Sequence, residues 1–160
     1  LYYWTVEILE QHGFHRYELS NFSKKGFESR HNQAYWERKS YKGLGLGACS
    51  FNGQFRFQNN KNLRNYFEAV EKGHDLTYES EELTSQQMSI EKIMLGLRQS
   101  KGVDVNDVLQ TFLPEQQRNF KEKANWLEEQ GLVIQKEGRI FLTPRGFVVE
   151  NEVAVNLFPE

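Results

Sequence analysis

A polar stretch at residues 73–85 interrupts the apolar pattern of the chain and limits what it can fold into. The stretch contains three glutamates and few large apolar side chains, and carboxylates are rarely buried unless they are paired. Before it, short apolar groups alternate with glycine and asparagine turns, whereas after it the apolar residues recur at helical spacing. The pattern predicts an α+β protein with two domains, residues 1–78 and 79–160.

The first domain is predicted to combine helices with short strands. Helices are expected over residues 2–11 and 31–38 and from Asn60 or Asn62 to Val70, and strands over residues 14–19, 41–51 and 54–57. Asn52-Gly53 separates the last two strands and is a strong hairpin signal, while Gly73 suits the end of a helix. The helix, turn and strand at residues 2–19 have the order of half a βαβ unit.

The second domain has the element order of a winged-helix fold. Helices are predicted over residues 85–99, 104–111 and 114–130, strands over 132–135 and 139–142, and a last helix from Thr143 toward Leu157. Asp104 and Pro114 are suited to helix starts. The order helix, helix, helix, hairpin, helix therefore predicts a winged-helix-like α+β domain.

The charge distribution argues against a nucleic-acid partner. Residues 81–160 carry 9 lysines and arginines against 13 aspartates and glutamates, in a chain of net charge −2. The helix at residues 114–130 contains Arg118, Lys121 and Lys123 but also four glutamates. A DNA-binding surface needs net positive charge to neutralise phosphates. A protein–protein or lid module is the preferred interpretation of this domain.

The sequence also bears on the membrane and on the completeness of the chain. No apolar run approaches the roughly 20 residues of a membrane span, so stable membrane insertion is not expected. The chain begins at Leu1, inside what reads as a helix. We therefore expect it to be a truncated piece of a longer polypeptide.

Three motifs follow one another in the first 50 residues. Residues 17–22 read Tyr-Glu-Leu-Ser-Asn-Phe, residues 31–36 read His-Asn-Gln-Ala-Tyr-Trp, and residues 41–48 read Tyr-Lys-Gly-Leu-Gly-Leu-Gly-Ala. In order and spacing they resemble motifs of the oxygen-independent coproporphyrinogen III oxidase-like radical SAM proteins, many of which are regarded as haem chaperones. The resemblance extends from about residue 17 to residue 157.

The resemblance implies a fold and cofactors that this chain holds only in part. Residues 1–78 would form the C-terminal end of a (β/α) radical SAM barrel, and S-adenosylmethionine and a [4Fe–4S] cluster would be bound by the parent protein. Three cysteine thiolates hold such a cluster in this family, and thiolates are the usual ligands, but Cys49 is the single cysteine here. We therefore expect the chain alone to be non-catalytic. One cysteine also fits a cytoplasmic location.

The family's His-Asn-x-x-Tyr-Trp motif implies a haem or porphyrin site in this chain. His31 would be an axial ligand of haem iron, since imidazole is a common iron ligand. Asn32 would donate a hydrogen bond to a propionate or to the backbone, and Tyr35 and Trp36 would offer aromatic surface. The alternative is a structural histidine and asparagine that tie down a loop, with both aromatics in the core.

The glycine run allows two interpretations as well. Gly43, Gly45 and Gly47 alternate at period two, and such residues line either the mouth of a barrel beside a cofactor or a closely packed strand. Cys49 stands where many family members have histidine. A thiolate can also ligate haem iron, but a lone cysteine beside alanine is more often a small buried side chain. We include Gly45, Gly47 and Cys49 among the candidate cofactor-binding residues.

Two functions are therefore expected for the parent protein. The motif at residues 31–36 favours binding of haem and its delivery to acceptor proteins. The alternative is a true oxygen-independent coproporphyrinogen III oxidase, which decarboxylates propionate side chains in porphyrin biosynthesis. A winged-helix DNA-binding regulator is a third, disfavoured hypothesis, because the corresponding domain is acidic.

Overall fold

The computed structural model describes residues 2–159, with only the backbone at Tyr2, and confirms a mixed α+β architecture with small sheets. In chain order the elements are α1 (Tyr2–Gln11), β1 (His15–Arg16), β2 (Phe22–Ser23), α2 (Arg30–Trp36), β3 (Cys49–Phe51), β4 (Phe55–Asn59), α3 (Leu63–Lys72), β5 (Thr77–Glu82), α4 (Ser85–Leu97), β6 (Val103–Asp104), α5 (Val105–Leu109), α6 (Pro114–Glu129), β7 (Val133–Lys136), β8 (Arg139–Leu142), α7 (Pro144–Val148) and α8 (Glu150–Asn156). Within residues 2–159, no helix combines the length and apolar character that crossing a bilayer requires.

The described residues form two compact units. The composite unit consists of the residues up to Glu37 together with those from Ser85 onward, and the central unit is Arg38–Thr84. The boundary predicted between residues 78 and 79 lies inside β5, because β5 pairs with β4 and completes its sheet. Leu19, from the first part of the chain, packs against the core of the C-terminal helices. The two-domain division remains a prediction.

The core of the composite unit is built from the C-terminal helices and hairpin. Its buried apolar side chains are Ile93, Leu97, Val103, Val108, Leu109, Phe112, Phe120, Ala124, Leu127, Val133, Ile140, Leu142, Phe147, Val153, Ala154 and Leu157. Four of these side chains, Val103, Val133, Ile140 and Leu142, come from an antiparallel sheet in the order β6-β8-β7. Full burial of a leucine or isoleucine side chain contributes about 1.5–3 kcal/mol. This cluster is therefore the principal source of stability in the unit.

The predicted helices and hairpin after residue 84 are confirmed. Helix α5 begins after Asp104, whose carboxylate accepts the Asp107 N–H, and Pro114 occupies the first turn of α6. The last predicted helix is present as α7 and α8, with Thr143 accepting the Gly146 N–H at its start. The sequence did not predict β6, which is two residues long and pairs with β8. Two residues are too few for an alternation of apolar and polar side chains to be recognised in the sequence.

The central unit is a three-stranded antiparallel sheet in the order β3-β4-β5 with one helix. Asn52 and Gly53 form the turn of the predicted hairpin. The Asn52 side-chain oxygen accepts the Phe55 N–H at 2.7 Å, and Gly53 has a φ of 105°. Asn62 caps α3 and Gly73 ends it in the left-handed conformation, as predicted. Strand β5 was not predicted, since its sequence, Thr-Tyr-Glu-Ser-Glu-Glu, lacks an apolar face.

The first predicted strand differs from expectation. Instead of residues 14–19, only His15–Arg16 form β1, and they pair antiparallel with β2. The chain turns back early because the Tyr17 N–H donates to the Asn21 carbonyl at 3.2 Å. In the described part of the chain, β1 therefore does not show the parallel pairing of a βαβ unit.

Candidate functional site

Helix α2 carries four of the candidate residues. Ser29 starts the helix: its hydroxyl oxygen accepts the Asn32 N–H at 3.3 Å, and its carbonyl accepts the Gln33 N–H at 3.0 Å. At the other end, the Glu37 N–H donates to the Gln33 carbonyl at 2.8 Å. The serine cap thus fixes where the helix begins, which places residues 31 and 35 one turn apart on one face.

His31 presents an exposed imidazole at the first turn of α2. Its ring lies 4.9 Å from the ring of Tyr35 between centroids, at an interplanar angle of 89°. This edge-on arrangement is a favoured geometry for aromatic pairs. Tyr35 is itself 40% exposed, whereas Asn32 is half-buried. The face of α2 that holds His31 and Tyr35 is therefore accessible to a ligand.

Trp36 belongs to the opposite, anchored side of α2. Its side chain is half-buried, its carbonyl accepts a hydrogen bond from Gln99 Nε2 at 3.2 Å, and its ring lies 5.8 Å from the Arg98 guanidinium. Within the part of the chain that the structure describes, the buried indole N–H has no hydrogen-bond partner. Trp36 thus fastens the helix to the end of α4. Sequence reasoning identified Trp36, but not Arg98 or Gln99.

A small polar cleft lies beside α2 within the composite unit. It has a volume of about 150 Å³ and is lined by Tyr17, Glu28, Gln33, Trp36, Gln99, Ser100 and Lys101. Backbone N–H groups, its own first and that of Gly26 second, hold the pKa of Glu28 below its usual value, because hydrogen bonds from donors favour the ionised carboxylate. The Glu28 carboxylate is therefore ionised at neutral pH, in a cleft that Lys101 also lines.

The glycine run forms a closed loop in the central unit and not the predicted strand. Tyr41 and Phe51 exchange backbone hydrogen bonds of 2.8 and 2.9 Å, which join the two ends of the loop. Gly45 and Gly47 have φ values of 107° and 65°, a region that L-residues rarely adopt. A β carbon on Gly43 would lie 2.1 Å from the Cys49 carbonyl oxygen. Of the strand predicted over residues 41–51, only the end is present, as β3 (Cys49–Phe51). The prediction is wrong for the glycine run, because positive φ angles are incompatible with extended backbone.

Side chains of β4 hold this loop in place. Asn59 Nδ2 donates to the Gly45 carbonyl at 2.9 Å, and Gln58 Nε2 lies 3.2 Å from the Gly47 carbonyl and 3.5 Å from Cys49 Sγ. Asn59 is 4% exposed, so its amide is an internal tie. Neither amide was predicted to be part of the site. No local sequence pattern predicts these two contacts, because they join residues 11 and 14 positions apart.

Cys49 is exposed, which corrects the alternative of a small buried side chain. It lies at the start of β3, in a cleft of about 580 Å³ on the sheet of the central unit, lined by Cys49, Arg56, Phe57, Gln58, Glu79, Ser80 and Glu81. Arg56 and Glu81 approach to 3.9 Å between Nη1 and Oε2. The thiol is therefore accessible, within a polar environment of mixed charge.

The candidate residues thus fall into two groups. Residues 31, 32, 35 and 36 share α2 in the composite unit, and Gly45, Gly47 and Cys49 share the loop and first strand of the central unit. Among residues 2–159, no three His, Cys, Asp or Glu side chains cluster to hold a metal ion. A metal bound through His31 would therefore take one protein ligand from α2, as haem iron does with a single axial histidine.

Comparison with known proteins finds one matching family model and several similar full-length proteins. Residues 83–149 match the family model described as the HemN C-terminal domain. The chain is 33% identical over 154 residues to proteins named heme chaperone HemW from Bacillus subtilis and from Lactococcus lactis, covering 96% of this chain and 40% of each relative. The chain thus spans about 40% of the length of these curated relatives.

A solved structure shares the fold. It is the coproporphyrinogen III oxidase HemN from Escherichia coli, described as a radical SAM enzyme, with a TM-score of 0.74 and 18% identity. The match covers 98% of this chain and 40% of that one. At this identity the likeness establishes the fold.

Proposed function

Because this chain corresponds to the C-terminal part of the oxygen-independent coproporphyrinogen III oxidase-like radical SAM proteins, we propose that it belongs to a longer protein that binds haem and delivers it to acceptor proteins. The accessible imidazole of His31 carries the proposal. The names of the relatives from Bacillus subtilis and Lactococcus lactis, heme chaperone HemW, support the same assignment.

His31 is the proposed axial ligand of haem iron. Its ring is exposed and contacts Tyr35 edge-on, so a ring nitrogen is able to face a ligand while the helix holds the side chain from one side. Imidazole is a common axial ligand in haem proteins. When bound, haem would supply an iron centre to be transferred. The donor chemistry of the site fits this group.

The neighbouring side chains have separate proposed roles. Tyr35 offers the accessible aromatic surface for the porphyrin, while Trp36 contributes its half-buried ring at the anchored edge of α2. Asn32 is half-buried and is proposed to hold a propionate or the local backbone through its amide. Porphyrins combine a large apolar face with charged propionates, so a site of this composition suits both parts.

Gly45, Gly47 and Cys49, which all lie in the central unit, are proposed as cofactor-binding residues of that unit. The loop is held rigid by Asn59 and Gln58, and rigid backbone without β carbons permits close approach of a flat ligand. The exposed thiol of Cys49 is a second candidate iron ligand, in the position where many family members have histidine.

The remaining cofactors are assigned to the rest of the parent protein. The chain contains one cysteine, and a [4Fe–4S] cluster is normally held by several thiolates. We propose that the parent binds the cluster and S-adenosylmethionine in a (β/α) barrel, whose end is formed by the first part of this chain. A reducing, cytoplasmic location accords with such a cluster and with the low cysteine content.

Residues 79–160 are proposed to be a winged-helix-like domain without a DNA-binding role. The order of α4, α5 and α6 followed by the β7–β8 hairpin supports the fold assignment. Helix α6 exposes two cations, Arg118 and Lys121, together with the carboxylates of Glu122, Glu128 and Glu129. Such mixed charge disfavours phosphate binding and favours packing against protein.

A haemin titration of the full-length protein tests the proposal, with wild type compared with His31→Ala and with the control His74→Ala. His74 is also exposed but lies in the central unit after α3. We expect saturable binding in difference absorbance spectra for wild type and His74→Ala, with loss or a spectral shift only in His31→Ala.

The opposite result has a defined meaning. If haem binding and spectra are the same in all three proteins, His31 is a structural residue and the haem-delivery proposal loses its ligand. Anaerobic turnover of coproporphyrinogen III would then test the oxidase alternative directly.

A further inference from the structure

Residues 98–101, which we call the junction segment, follow α4 in the chain and contact α2, the helix that carries His31. We propose that the junction segment positions α2, so that Gln99 and its neighbours set how firmly His31 holds haem although they do not contact it. The inference rests on the proposed function, because it concerns the same site.

Gln99 is the central contact. It is 7% exposed, and its Nε2 donates to the Trp36 carbonyl at 3.2 Å and to the Leu95 carbonyl at 3.2 Å. Trp36 is the last residue of α2, and the last carbonyls of a helix have no partner within the helix. One buried amide therefore binds the open end of α2 and the last turn of α4 together.

Two cations of the junction segment reinforce this contact. Lys101 Nζ pairs with Glu37, the C-cap residue of α2, and a cation near a helix C-terminus is favourable. Arg98 lies 5.8 Å from the centre of the Trp36 ring, within the range of a cation–π interaction. Two positively charged side chains, Arg98 and Lys101, therefore lie at the C-terminal end of α2.

Arg98 is in turn fixed from the C-terminal helices. Its Nε donates to Glu150 Oε1 at 2.9 Å, and the Glu150 carboxylate is 5% exposed. A buried carboxylate requires a partner, so Glu150 is expected to restrain the guanidinium strongly. The first residue of α8 is therefore linked through Arg98 to Trp36.

The junction segment also holds the motif at residues 17–22. The Ser100 N–H and hydroxyl donate to the Tyr17 carbonyl at 3.1 and 3.2 Å, and Glu18 forms an antiparallel bridge with Gln99. Two separate motif segments thus meet at four residues that follow α4. This convergence distinguishes the junction segment from an ordinary helix end.

The length of α2 explains why such contacts matter. The helix has seven residues, and isolated helices shorter than about 12 residues are marginal in water. Ser29 caps its start, while the junction segment supplies the contacts at its end. Loss of the Gln99 amide is therefore expected to loosen the C-terminal turn, which carries Tyr35 and supports the His31 ring.

The experiment compares Gln99→Met with the matched control Gln117→Met in the full-length protein. Gln117 Nε2 also donates to two carbonyls, those of Leu109 and Phe112 at 3.1 and 3.0 Å, but it lies on α6. Each variant loses two hydrogen bonds from a side-chain amide to backbone carbonyls, so the number and the type of the lost bonds are matched between them.

Two measurements are made on each protein. Hydrogen exchange of the α2 amides, recorded without haem, reports how readily the helix opens, and the dissociation rate of haem reports how firmly the site holds its ligand. Since one net hydrogen bond changes an equilibrium by a factor of about 2–10, we expect Gln99→Met to raise both about fivefold and Gln117→Met to raise neither.

Each contrary result overturns a different part of the proposal. Unchanged exchange in α2 shows that Gln99 does not position the helix, and raised exchange with an unchanged haem rate shows that its position does not govern the site. If His31→Ala alone leaves haem binding intact, the proposed function fails, while the exchange result still decides the positioning role. Should Gln99→Met not fold, Lys101→Met and its control Lys92→Met, which breaks the Asp107 ion pair, give the same comparison.

Discussion

The C-terminal part of the composite unit and the central unit are each stabilised internally, by different kinds of interaction. The former contains a continuous cluster of buried apolar side chains contributed by helices and hairpin. The latter buries Phe51 and Leu83 together with the polar residues Ser50 and Asn59. Its shape depends on glycine backbone and on side-chain amides that bind carbonyls.

The difference shows that stability and candidate binding residues need not reside in the same kind of structure. Apolar packing tolerates many side chains of similar volume, whereas positive-φ glycines and buried amides permit few replacements. Helix α3 illustrates the contrast, since Leu63, Phe67 and Val70 each remain at least half exposed. Mutations in the two regions should therefore have different consequences.

The largest expected effect is in the apolar cluster. Leu127 is 1% exposed on α6, and Leu127→Ala should lower the free energy of unfolding by about 2–5 kcal/mol through lost burial and a residual cavity. The matched control Leu63→Ala on α3 should change it by less than about 0.5 kcal/mol, because exposed side chains contribute little. Urea denaturation measures both, and equal losses would remove the contrast between the regions.

The second effect is in the glycine loop. Gly43→Ala would place a β carbon 2.1 Å from the Cys49 carbonyl oxygen, and such overpacking costs about 1–3 kcal/mol or more. The neighbouring Leu44 is 86% exposed, so Leu44→Ala serves as control and should be nearly neutral. Hydrogen exchange of the β3 and β4 amides locates the change. An undisturbed loop in Gly43→Ala would contradict our account of its shape.

Local sequence signals predicted those elements that local interactions determine. The caps Asn62 and Gly73 bound α3 as expected, and Asn52-Gly53 forms the expected turn. Strand β5 was missed because its pairing with β4 is non-local and its three glutamates hide the strand pattern. Period-two glycines suggested a strand for the loop, although positive φ angles exclude extended backbone there.

For the candidate site, the sequence predicted which side chains belong to the motif but not the residues that hold its helix in place. The motif at residues 31–36 lies on one helix as predicted, with His31 and Tyr35 in contact. The contact between Gln99 and Trp36 joins residues 63 positions apart. No local pattern predicts such a contact, because it depends on how the C-terminal core positions the end of α4.

A smaller effect is expected at the cap of α3. The Asn62 side-chain oxygen accepts the Asn65 N–H at 3.1 Å, so Asn62→Ala should cost about 0.5–2 kcal/mol and raise exchange within α3. Asn65→Ala, which keeps that backbone amide, is the control and should not destabilise the helix. If both substitutions act alike, α3 is not held by its cap.

The smallest effect concerns acid pH in the central unit. Hydrogen bonds from Thr77, the backbone N–H foremost, lower the pKa of Asp75 below its usual value of 3.8. A lowered folded-state pKa stabilises the fold above pH 3.8, and this contribution is lost as the pH falls through the folded value. Asp75→Asn should flatten this part of the stability profile. Carbon-13 NMR titration of the Asp75 carboxyl measures the pKa, and an unshifted value would contradict the contact.

The central claim, that His31 holds haem iron, is tested most directly by His31→Gly with and without added imidazole. We predict that haem bound to the variant has an altered absorbance spectrum, and that imidazole, supplied as a free ligand in place of the missing side chain, restores the wild-type spectrum. A wild-type spectrum in His31→Gly before imidazole is added would contradict the assignment and place the iron ligand elsewhere.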